Sequence, residues 1–204
     1  MAEWFREYWP YAILLVAACV IAAVVFRAAA KAYSAHKKSY REEEQYILRL
    51  KALKEKYVPL TEKTVENAPD GELLEGTALG IRLALQKTEN PDAEFEKLSN
   101  EKKFVYTLDA FTEDKTLEVF FRENTAVLKS RLVPALEMIS LSNYAKRASV
   151  VSMMFDDSDE TTSLDEKKVK CLDEELEKED FLSLIKLSAA KYIKENAKAF
   201  CDCN

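Results

Sequence analysis

The sequence predicts an all-α protein, and three observations carry that expectation. Only 3 glycines and 5 prolines stand in 204 residues, while 32% of the chain is charged; this composition suits helices and starves a β fold of its turn residues. Apolar residues recur three and four apart through most of the chain, which puts them on one face of a helix. No stretch alternates apolar and polar residues over the length of a strand.

Charge divides the chain in two. Residues 1 to 56 hold 10 Lys and Arg against 6 Asp and Glu, and residues 57 to 204 hold 20 against 30, so a net +4 precedes a net −10. A body at −10 repels phosphates, so direct binding of DNA or RNA is not expected, and the charge favours a basic protein partner.

In chain order, the first element is a predicted transmembrane helix over 9–30, preceded by a short segment, 1–8. The run YAILLVAACVIAAVVF, Tyr11 to Phe26, carries no charge, and its flanks bring it to the roughly 20 residues that a bilayer core requires. Trp4, Tyr8, Trp9 and Tyr11 suit one headgroup level, and Arg27 can snorkel at the other. Val16-Ala17-Ala18-Cys19 has the form of a lipoprotein box, but the apolar run continues for seven residues past Cys19 and the preceding segment holds one Arg against two Glu, both unlike a cleaved signal. Arg6 stands alone before the span, whereas Arg27, Lys31, Lys37, Lys38 and Arg41 follow it. Positive charge stays inside, so the expected location is the cytoplasmic membrane, single-pass, with the body facing the cytosol. Cys171, Cys201 and Cys203 are then expected as reduced thiols.

Residues 31–57 contain no Gly or Pro and are predicted to continue as a helical stalk. Its stripe of Tyr40, Ile47, Leu50 and Leu53 is too short for a coiled coil and is expected to pack on the body. Lys37, Lys38 and Arg41 form a basic patch that can meet anionic lipid.

The acidic domain, 58–204, reads as successive helices. Thr61 is placed as the cap of a short helix to about Asn67, and Asp70 as the cap of a longer one with Leu74, Ala78, Ile81 and Leu85 on its inner face. Asn90-Pro91 closes that helix. Phe95 and Leu98 open another apolar face, which Phe104, Leu108 and Phe111 extend over a helix at 100–113. After a break at 114–116 come Leu117, Phe120, Phe121, Leu128, Leu132, Leu136 and Ile139, interrupted at Pro134 by either a kink or a new helix. Ser142 is placed as the cap of a helix over 143–154, FDDSDETTS reads as a loop, and Ser163 with Glu166 has the form of a capping box. Asp180 leads into a last helix with Phe181, Leu184, Ile185, Ala189 and Tyr192 on its apolar face.

The inventory does not favour an enzyme. Gly71, Gly76 and Gly80 lie in or at the start of one helix and form no phosphate-cradling loop. His36, the single histidine, precedes the body, so the body has no imidazole for acid-base work. Cys171 lacks a histidine partner, and His36 lies too far in sequence from the cysteines to suggest a metal site. No cofactor is expected. The pair Phe120-Phe121 sits at helical spacing with Leu117, Leu128, Leu132 and Leu136, and is read as core.

The order of LTEKTVENAPDGELLEGTALGIRLAL, FVYTLDAFTEDKTLEVFFREN, VPALEMISLSNYAKRASVV and LIKLSAAKYIKENAKAF, spanning 60–200, resembles the DNA-mimic protein C-terminal-domain family of small helical bacterial proteins. That family carries a pattern like GGFxxFFxN. Leu117, Phe120 and Phe121 match its apolar positions as a core signature, Lys115 and Thr116 stand where its glycines would be, and Glu123 replaces its asparagine. In the member that names the family, an acidic surface imitates DNA phosphates and occupies the DNA-binding face of a repressor. The resemblance therefore implies a regulator acting through Asp156, Asp157, Asp159, Glu160, Asp173, Glu174 and Glu175, within a segment holding 12 acidic and 4 basic residues. The reading from composition is a membrane-anchored helical interaction module that recruits a basic partner.

Overall fold

Side-chain caps and backbone stops cut the chain into short helices. A computed structural model of the protein describes residues 43–155 and 165–201. The helices are α1 (43 to 57), α2 (Glu62–Asn67), α3 (Asp70–Leu85), α4 (Pro91–Lys97), α5 (Asn100–Asp114), α6 (Leu117–Glu123), α7 (Ala126–Met138), α8 (Ser142–Met154), α9 (Glu166–Lys178), α10 (Phe181–Glu195) and α11 (Ala197–Phe200). No strand occurs among the described residues, and the protein is all-α.

The chain divides into two units, Met1–Lys51 and Ala52–Asn204. In the first, the described residues 43 to 51 are helical and expose Tyr46, Ile47 and Leu48. The predicted span at 9–30 lies outside the described residues; no described helix is long and apolar enough to cross a membrane. In the second unit, α3 packs on α10 and α5, and α5 carries the contact onward to α7, which packs on α8.

Most starts are where the sequence put them. The Thr61 side chain accepts from the Thr64 N–H, Ser99 from Lys102 and Thr116 from Val119, each satisfying a donor that a helix start leaves open. Four placements are corrected. Ser142 is the first residue of α8 and makes no side-chain cap, with Leu141 before it. Asp70 is the first residue of α3 and makes no cap; its carboxylate pairs with Lys194, setting the start of α3 beside the end of α10. Asn90 starts α4, accepting from the Ala93 N–H with Pro91 in the first turn. The long apolar line after Leu117 breaks at Asn124 and Thr125, and Pro134 stays inside α7. Ser163 lies outside the described residues, and Asp165 caps α9 by accepting from the Lys168 N–H.

Tyr57 enters the core through a glycine. Its ring is fully buried against α3, and a Cβ placed on Gly76 would lie 2.8 Å from Tyr57 Cε2 and closer still to its neighbours. The backbone of α3 is thus the surface on which the ring rests. Lys56 meets Glu72 at 2.7 Å beside it.

The end of α3 is tied to α5 through Arg82. Arg82 reaches Asp109 Oδ2 and Glu113 Oε1, each at 2.9 Å, with Asp109 3% exposed and Glu113 at the surface. Burial pushes the Asp109 carboxyl up to about 8, against the pull of Arg82. The folded state therefore holds this proton more tightly than the unfolded chain, whose aspartate titrates near ~4. Its contribution to stability is present below that value and lost as pH rises through about 8.

Two outcomes test this packing. Gly76→Ala should lower stability by about 1–3 kcal/mol through overpacking, although alanine is the better helix former; urea denaturation of the two proteins checks it. Asp109→Asn should flatten the fall in melting temperature between pH 4 and pH 8, read from melts across that range.

Candidate functional site: the α6 and α9 junction

The aromatic pair lies at the centre of a file of rings. Phe120 meets Phe111 edge-on at 5.6 Å and Phe121 at 5.5 Å, and Phe121 stacks on Phe155 at 6.0 Å. From Phe111 the file continues to Phe181 at 5.7 Å and then to Tyr144 at 4.3 Å. Leu117, Phe120 and Phe121 are all buried, so no face of the pair is open to a ligand.

The backbone beside the pair includes one left-handed residue. Lys115 ends α5 with φ of 69°, in the left-handed region, where a non-glycine residue costs about 1–2 kcal/mol. Asn124, one place beyond Glu123, donates from Nδ2 to Asp114 Oδ2 at 2.6 Å and to the Phe120 carbonyl at 3.1 Å. It straps the end of α6 to the end of α5, while Glu123 is an exposed surface residue.

Asp173 faces inward. Its Oδ1 accepts from the Leu117 N–H at 2.7 Å and its Oδ2 from the Glu118 N–H at 3.2 Å, so α9 supplies a carboxylate to the start of α6, where the helix dipole favours one. Burial pushes its carboxyl up, and the two backbone donors pull it down. Of the other sequence-nominated acids, Glu174 and Glu175 are exposed on α9, while Asp156, Asp157, Asp159 and Glu160 lie outside the described residues.

Beside this cap runs a groove of about 660 Å³. Leu176 and Phe181 form its buried floor, and Glu118, Glu174, Glu177 and Asp180 stand around it, with Lys115 and Lys170 as its cations. Glu118 is paired with Arg122 at 2.9 Å. Glu174, Glu177 and Asp180 have no side-chain partner among the described residues. Nearby, Glu179 is held below the usual carboxylate range by Tyr144 and Arg147 and is bound at 3.0 Å to Arg147. The structure thus sorts the acids of 173–180 into internal ties, Asp173 and Glu179, and outward charges.

Cys171 is exposed, with Sγ 4.0 Å from Glu175 Oε1. Cys201 is half-buried, and Cys203 lies outside the described residues. No group of three His, Cys, Asp or Glu side chains among the described residues is placed to hold a metal ion. Comparison of the chain with protein families, with characterised proteins and with solved structures finds no match.

Asp173→Ala should cost about 1–2 kcal/mol, the loss of a cap, while Glu174→Ala should stay within about 0.5 kcal/mol of the parent. Thermal melts of the two variants separate the inward acid from the outward one.

Proposed function

We propose that the chain is a membrane-tethered binding module whose outward α9 acids receive a basic protein partner. The observation that carries this reading is the groove: an apolar floor at Leu176 and Phe181, ringed by Glu174, Glu177 and Asp180, which have no side-chain partner among the described residues. An apolar centre with a charged rim is the usual anatomy of a protein interface. Carboxylates near the end of α9 also oppose the helix dipole, so their placement costs stability and calls for another reason. The tether is read from the uncharged run within 9–30, and the cytosolic side from the basic residues after it. In this reading the module positions its partner at the membrane and performs no chemistry of its own.

A test is capture from native lysate on the immobilised full chain, with Glu174→Lys/Glu177→Lys as the comparison, eluted first with duplex DNA and then with salt. A basic protein held by the parent, lost by the double variant and released by salt supports the reading, because rim charges are screened. Release of a DNA-binding protein by the duplex itself selects the DNA-mimic form of the same interface. Equal retention by parent and variant overturns the assignment to α9.

A further inference from the structure

The chemistry of the α9 groove narrows the form its partner takes. Leu182, half-buried, lines the groove beside Leu176 and Phe181. Glu174, Glu177 and Asp180 are exposed around it. Their charge calls for cations set next to an apolar side chain.

A helix meets that demand and an extended segment does not. Most of the groove is made by α9 and by the first residues of α6 and α10, and the interior N–H and C=O groups of a helix are already bonded within it. The donors that open α6 are taken as well, by Asp173 at Leu117 and Glu118 and by the Thr116 hydroxyl at Val119. No strand occurs among the described residues, so there is no sheet edge for an extended chain to join. Such a chain would lay unpaired backbone groups on an apolar floor, which costs free energy for each one. A helix arrives with its backbone satisfied.

The spacing of the acids agrees. Glu174 and Glu177 both lie within α9, about 4.5 Å apart in helix rise. Cations three or four apart on a second helix repeat at about 4.5–6 Å, whereas those on one face of a strand repeat at about 6.6 Å. Lys170 stands one turn before Glu174 on the same helix and lines the same groove, so the partner's cations end at that point.

We propose that the groove receives a basic amphipathic helix. Its lysines or arginines, three or four residues apart, meet Glu174, Glu177 and Asp180, and one large apolar side chain among them seats on Leu176, Phe181 and Leu182. This rests on the reading of the groove as the binding surface and adds the form of the partner.

The experiment is isothermal titration of the full chain in phosphatidylcholine nanodiscs, with empty discs as the blank, against three synthetic alanine-based peptides of about 18 residues, long enough to hold a helix. The first carries lysines at i, i+4 and i+7 with a leucine at i+3. The second keeps these residues and changes two central alanines to proline, which breaks the helix. The third replaces the leucine by asparagine. The parent should bind one equivalent of the first peptide, about tenfold more tightly than either of the others. Glu174→Lys/Glu177→Lys, with both changes at exposed positions, should lose that binding. Equal binding of the first and second peptides, abolished in the double variant, overturns the helical form and leaves the basic-partner reading standing. Equal binding of the first and third overturns the apolar seat and with it the amphipathic partner. Absence of binding above the blank, or binding that the double variant retains, overturns the proposal together with the reading it rests on.

Discussion

A seven-residue helix cannot sustain itself in water, yet α6 supplies the centre of the core. It persists because it is held at every point. Its start receives the Asp173 carboxylate from α9, its end is strapped by Asn124 to Asp114, and its inner face is packed by Phe111 and Phe155. Burial of the two phenylalanines offsets the entropy of ordering the segment. The file of rings from Phe155 to Tyr144 runs through α8, α6, α5 and α10, so these helices share one packing problem.

The same economy governs charge. Arg82, Lys103 and Arg131 are each held to carboxylates, and Glu96 serves both of the last two, joining α4, α5 and α7. Buried or half-buried charges are therefore committed to joints between helices, where breaking one partner leaves the other stranded. What remains outward on α9, at Glu174 and Glu177, is charge that takes no part in these joints.

Helical periodicity made the class, the inner faces and most starts legible, because caps and apolar spacing are local properties. Thr61, Ser99 and Thr116 announce their helices within three residues. The break at Asn124 was hidden because apolar spacing continues across it, and Pro134 drew attention to the wrong place. Asp173 was read as surface because its role depends on Leu117 and Glu118, more than fifty residues earlier; no local pattern encodes such a tie.

The distance in sequence between Asp173 and α6 has a consequence for synthesis. A ribosome delivers the chain from its N-terminus at about 5–20 residues per second, so Phe120 and Phe121 emerge well before the α9 carboxylate and the Phe181 ring that complete their surroundings. For several seconds the Phe120-Phe121 pair exists without its cap. The nascent chain therefore exposes these rings until α9 arrives as the closing piece.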